Sequence, residues 1–152
     1  MDKKRLNIAL LVSEFEDGYT RSLCEGAVSA AKELDANLFI FPGRYLEAHN
    51  YDLYRTKYDY HFNSLFSYEY DVILISMGTI AGNVDLETKV EFLRQFKGDN
   101  IITISAKIEG YPSVCFDNSF GFYKGISHLI EAHKCRRIGF VSGAMTSDDA
   151  MQ

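Results

Sequence analysis

Apolar residues in this chain come in short runs separated by longer amphipathic stretches. Leu6 to Val12 reads LNIALLV, nearly continuous in apolar character, as expected of a strand covered on both faces. Between Thr20 and Leu34 the spacing changes. Leu23, Cys24, Ala27, Val28, Ala31 and Leu34 recur at i, i+3 and i+4, which predicts a helix packed on that first strand. Leu38 to Phe41 predicts a second strand, stopped by Pro42-Gly43, and a Tyr-rich loop leads to a helix expected from about Leu53 to Phe66. Asp71 to Ser76 (DVILIS) is the third strand, Leu86 to Phe96 the third helix and Ile101 to Ser105 (IITIS) the fourth strand. The turn Glu109-Gly110-Tyr111-Pro112 precedes a short fifth strand, Val114 to Phe116. A further helix is expected from about Ser119 to Ala132, with Phe122, Ile126, Leu129 and Ile130 on its buried face, and Ile138 to Val141 is expected as strand six. Strands alternating with helices build βαβ units, so the expected class is α/β with a doubly wound parallel sheet.

Composition narrows the possibilities. The chain has 152 residues, 47% of them hydrophobic, with Gly 11 and Pro 2; that is enough for one ordinary core and carries no sign of low complexity. A net charge of -5 argues against direct nucleic-acid binding, because neutralising phosphates takes clustered Lys and Arg. The short Lys3-Lys4-Arg5 run reads as a solvated terminus. Cys24, Cys115 and Cys135 are far apart and without CxxC spacing, which favours a reducing compartment over a disulfide framework and makes a cytoplasmic location the expectation. No apolar run reaches the roughly 18 to 20 residues of a membrane span, and no signal-peptide core precedes the first strand, so no membrane partner is expected.

In a parallel sheet of this kind the ligand crevice lies at the carboxyl ends of the strands. The loop after strand one is Ser13-Glu14-Phe15-Glu16-Asp17-Gly18-Tyr19, without GxGxxG or GxxxxGK[ST]. Its three carboxylates oppose a bound phosphate, because they occupy or repel the anion that a helix start otherwise attracts. They fit a metal or acid–base role less well than a helix-capping one. A phosphorylation receiver needs an acceptor Asp at the end of strand three, where this chain has Ser76-Met77-Gly78. His49, His61, His128 and His133 show no HExxH or other i, i+4 pairing and read as surface or helix-cap residues. Ser142-Gly143 and Ser76-Met77-Gly78 lack the GxSxG elbow of a nucleophilic serine. No catalysis, cofactor or metal is therefore expected.

What remains is a binding crevice. Phe15 and Tyr19 are placed to cover the apolar face of a sugar or base ring, or else to close the core over helix one. Asp117 is placed to accept hydrogen bonds from two neighbouring hydroxyls, and equally to cap the helix that follows it; the two roles are compatible. The combination suits a neutral polyol better than an anion.

Three segments resemble the ligand-binding domain of LacI-type transcriptional regulators, which has the type I periplasmic-binding-protein-like fold. They are IALLVSEFEDGYTRSLCEGAVSAA from Ile8, DVILISMG from Asp71, and, most specific, GYPSVCFDNSFGFYKGISHLIEAHKCRRIGFVSG from Gly110. The resemblance implies a first lobe over residues 1–117 and, over 118–152, only the first helix and strand of a second lobe. It implies a small-molecule effector, sugar-like or nucleobase-like, bound between lobes of a homodimer that catalyses nothing. Carried onto matching positions, the ligand contacts fall on Tyr19, with Phe15 beside it, on Met77 and Gly78, and on Asp117. After strand four Ser105-Ala106 stands where the family commonly has an Asp-Arg pair, so Ser105 is the candidate there and a charged contact is lost. The family's usual Pro in the first loop is Gly18. Strand one begins within the first ten residues, leaving no room for the family's helix-turn-helix ahead of it. The alternative is thus the N-terminal sensor domain of a bacterial signalling protein with a downstream output module such as a GGDEF diguanylate cyclase. A second lobe cut short predicts weak ligand binding, and a segment after Asp117 that either docks on the first lobe's sheet or pairs with another copy of the chain.

Overall fold

The computed structural model describes residues 4–43, 45–46, 65, 68–97 and 100–143. Their elements are β1 (Asn7–Val12), α1 (Gly18–Glu33), β2 (Asn37–Pro42), β3 (Val72–Ile75), α2 (Met77–Ile80), α3 (Leu86–Leu93), β4 (Ile101–Ile104), β5 (Ser113–Val114) and α4 (Asn118–Glu131). All strand pairs are parallel and the sheet order is β2-β1-β3-β4-β5. The chain moves from β1 outward to β2, then crosses β1 to reach β3. Between β1 and β3 the winding reverses, which in open α/β sheets opens a crevice beyond the strand ends.

Alternate side chains of β1 feed two cores, which is why its sequence reads as one apolar run. Ala9 and Leu11 join Ile73, Ile75 and Ile101 under Met77, Ile80, Phe92 and Leu93 of α2 and α3. Leu10 and Val12 join Ile104 on the opposite face, where Cys24 of α1 is buried and Leu23 and Ala27 pack beside it. Leu10 and Leu11 are fully buried, each worth about 1.5–3 kcal/mol by transfer from water. The expected helix at 53–66 lies outside the described residues, except that Leu65 is helical and buried in the first core.

Both ends of α1 follow local rules. Asp17 caps its start by accepting the Thr20 N–H at 2.7 Å, and at its end Asp35 takes a left-handed φ of 51° while Ala36 N–H returns to the Ala31 carbonyl. Its buried residues are Thr20, Cys24 and Ala31. Val28 and Leu34, expected inside, are exposed: Val28 sits at the margin of the stripe, and Leu34 is the C-cap beyond the last helical turn. Asp85 caps α3 in the same way as Asp17 caps α1, through Thr88 N–H at 2.8 Å.

Beyond β5 the expectations need correction. Helix α4 forms, but none of its residues is buried: Phe122, Leu129 and Ile130 are exposed and Ile126 only half-buried. Ile138 to Val141 forms no strand, because among the described residues no neighbouring strand lies alongside to complete its hydrogen bonds. The segment turns back on α4 instead, with the rings of Phe122 and Phe140 edge to face at 4.9 Å. It does not dock on the first sheet. The fifth strand is also shorter than expected, with Cys115 to Asp117 outside it.

Candidate functional site

The carboxyl ends of β1, β3 and β4 present hydroxyl groups. Ser13 follows β1 and Ser76 follows β3, both buried, and Ser76 N–H bonds the Leu11 carbonyl at 3.0 Å, which ties the two strand ends together. Thr79 Oγ1 donates to the Ser76 carbonyl at 3.0 Å and lies 2.9 Å from Ser76 Oγ. Across the crevice, Tyr19 in the first turn of α1 shares a hydrogen bond of 2.7 Å between its hydroxyl and Ser105 Oγ. The two residues are 86 positions apart.

Ser105 is held in an unusual state. Its φ is +59°, a left-handed conformation that few non-glycine residues adopt, yet it is buried and its N–H bonds the Val114 carbonyl at 2.9 Å. Gly78 makes this possible. A Cβ on Gly78 would lie 2.6 Å from Ser105 Cβ and 2.8 Å from its carbonyl oxygen, so α2 and the end of β4 touch backbone to backbone. Phe116, just beyond β5, meets the Tyr19 ring edge-on at 6.4 Å. Gly78, Ser105, Tyr19 and Phe116 thus form one continuous wall.

The acidic loop after β1 is engaged locally. Glu14 Oε1 accepts from the Tyr45 hydroxyl at 2.9 Å. Asp17 is held below the ordinary aspartate pKa first by the Thr20 side chain, then by the Thr20 N–H. The first of these is an electrostatic approach rather than a well-formed hydrogen bond, since the buried Thr20 Oγ1 has no partner in hydrogen-bond geometry among the described residues. Burial, and then the charge on Asp17, pushes the Cys24 thiol pKa up.

Of the residues singled out from sequence, Tyr19, Gly78 and Ser105 come together directly. Phe15 is 45% exposed on the same loop as Glu14. Met77 is fully buried in the first core, so its side chain faces away from the crevice. Asp117 caps α4, accepting Phe120 N–H at 2.8 Å, and is exposed. Sequence reasoning missed Ser76, Thr79 and Phe116. Ser76 precedes and Thr79 stands in a four-residue helix too short to show a period, and nothing local marks Phe116 as the partner of Tyr19. A concavity of about 1230 Å³ lies not at this wall but between α4 and residues 140–143, lined by Phe116, Phe122, Ile126, Leu129 and Phe140 among others. It is the open side of an uncovered helix. The wall, where the winding reverses and polar groups converge, is the better ligand site.

No family model matches the chain, and no curated protein matches it in sequence. Solved structures do. The lac repressor dimer bound to operator and the anti-inducer ONPF superposes with a TM-score of 0.72 over 99% of this chain and 48% of that one, at 15% identity. The Escherichia coli transcriptional repressor ascG gives 0.61 over 96% and 49%, at 18% identity. The chain spans about half the length of either. It therefore has the α/β, periplasmic-binding-protein-like fold of these repressors. Among the described residues no helix is long and apolar enough to cross a membrane, and no three His, Cys, Asp or Glu residues cluster as metal ligands.

Proposed function

We propose that this chain is the effector-sensing part of a LacI-type transcriptional regulator, in which residues 1–117 form the first lobe and 118–152 begin the second. The observation that carries the reading is the hydroxyl wall at the reversal of winding: Tyr19 bonded to Ser105, packed on Gly78 and flanked by Phe116. An aromatic ring beside hydroxyls suits an uncharged, hydroxyl-bearing ring such as a sugar. Asp17 occupies the start of α1, the place a phosphate would otherwise take. Phe15, Tyr19, Gly78, Ser105 and Asp117 would contact the effector through side chains or backbone, and Met77 through its main chain alone. The protein binds without transforming its ligand, acts in the cytoplasm, and pairs as a homodimer. The exposed Phe120, Phe122, Tyr123 and Val141 support that pairing.

Thermal unfolding of the full chain against a panel of neutral monosaccharides and nucleosides, with sugar phosphates in parallel, tests the reading. Neutral ligands should raise the melting temperature in a concentration-dependent way, and Tyr19→Ala should remove the rise. Stabilisation by the phosphorylated set alone would sink it. Sequencing the parent gene should find a DNA-binding segment; a downstream catalytic signalling module in its place would replace the regulator by a signalling sensor.

A further inference from the structure

Helix α4 ends in a way that joins two histidines. His128 lies in its last turn and His133 directly follows the C-cap, Ala132. Residues five apart on a regular helix point about 140° away from each other, so this pair is no ordinary helical-face contact. It forms across the end of the helix, where the chain leaves α4. Ala132 N–H bonds the His128 carbonyl at 2.9 Å, Lys134 takes a left-handed φ of 57°, and Cys135 N–H returns to the Leu129 carbonyl at 3.0 Å.

The two Nε2 atoms are 3.1 Å apart, the ring centroids 4.9 Å, and the ring planes cross at 78°. Two imidazoles meeting head-on in a hydrogen bond of that length would put their centroids about 5.4 Å apart, taking about 1.15 Å from ring centre to nitrogen. Two imidazoles aimed at one metal ion, each about 2.05 Å from it, subtend about 98° for the same nitrogen separation and put the centroids about 4.8 Å apart. The observed 4.9 Å is close to the second value, and a bent hydrogen bond between the same two nitrogens gives it as well, so the pair is already spaced as two ligands of one ion would be.

We propose that His128 and His133 form a two-histidine site for a divalent transition-metal ion of the zinc, nickel and copper group. Both side chains are exposed, leaving the remaining coordination positions to water. The helix C-terminus contributes negative partial charge. Lys134, Arg136 and Arg137 in the following segment oppose it, so the ion is held by coordination rather than by net charge. That selects metals that prefer imidazole over Mg2+ and Ca2+, which require oxygen ligands. Among the described residues no third His, Cys, Asp or Glu joins the pair. A bound ion would staple the last turn of α4 to the residue that follows its cap.

Calorimetric titration of the full chain with Ni2+ and with Zn2+, under a phosphine reductant, tests the site. One ion should bind per chain, His128→Asn and His133→Asn should each weaken binding at least tenfold, and Cys135→Ser should leave it unchanged. Mg2+ should give no heat of binding. Both histidines are exposed, so far-UV circular dichroism should show each variant folded as the wild type. Absence of binding by the wild-type chain, or a loss smaller than tenfold in either histidine variant, overturns the proposal.

Discussion

Gly78→Ala is expected to destabilise the protein, although alanine is the better helix former. The added Cβ would meet Ser105 Cβ at 2.6 Å, its carbonyl oxygen at 2.8 Å and its carbonyl carbon at 3.3 Å. These atoms cannot move aside cheaply, because Ser105 is buried, is bonded through its N–H to Val114, and already sits at a φ of +59°. Overpacking of this kind costs about 1–3 kcal/mol. The reduced entropy of the unfolded alanine chain returns about 0.4–1 kcal/mol, leaving a net loss of about 1–2 kcal/mol. Gly26→Ala is the control, since it lies within α1 with nothing inside 4 Å of an added Cβ. It should stabilise by about 0.4–1 kcal/mol. Urea unfolding at fixed chain concentration reads both: with a slope of about 1–3 kcal/mol/M, Gly78→Ala should lower the midpoint by about 0.5–1 M while Gly26→Ala raises it. Adding Ser105→Gly to Gly78→Ala removes the facing Cβ and the left-handed strain but leaves the carbonyl oxygen at 2.8 Å and loses the Tyr19 hydrogen bond, so it should recover little of the loss. A Gly78→Ala protein as stable as the wild type would refute the backbone-to-backbone contact.

Three further outcomes are expected. Tyr19→Phe removes the 2.7 Å partner of a buried serine hydroxyl and should cost about 0.5–1.5 kcal/mol in urea unfolding, with no such loss when the substitution is made in a Ser105→Ala background. Asp17→Ala removes the α1 cap and should cost about 1 kcal/mol at neutral pH. The Asp17 pKa is lowered in the folded state, so its contribution is fully present above the unfolded value of about 3.9 and lost as pH falls through the folded one. The gap between wild type and Asp17→Ala should therefore close in acid, and a gap that widened there would contradict the assignment. Light scattering should find the chain dimeric, with Phe122→Ser and Val141→Ser shifting it toward monomer; a clean monomer with residues 139–142 open to protease would argue that the face has no partner.

The sequence by itself determined the strands of the sheet and the two longer helices that lie against it. The strands β1 to β4 overlap their expected runs because a parallel strand inside a covered sheet is apolar at nearly every position, and such runs are visible without a fold; the exposed β5 only touches its own. Capping was legible for the same local reason: Asp17 and Asp117 each stand three residues before the N–H they accept. What failed were readings that depend on a neighbour. The apolar positions of α4 were correctly periodic, but periodicity marks a face without supplying what covers it, and Ile138 to Val141 lacked the adjoining strand that would make it one. Met77 sat at a loop position that suggested the crevice and instead turned into the core.

Only the tertiary structure decided the site. Tyr19 and Ser105 meet across 86 residues because α1 starts and β4 ends at the same rim of the sheet, and Gly78 matters because two backbones touch there. His128 and His133 escaped sequence reasoning because five-residue spacing joins nothing on a straight helix; they meet only across the C-cap, where the helix ends. Local periodicity is written residue by residue, whereas convergence of distant side chains depends on where the chain crosses itself, and that is set by packing.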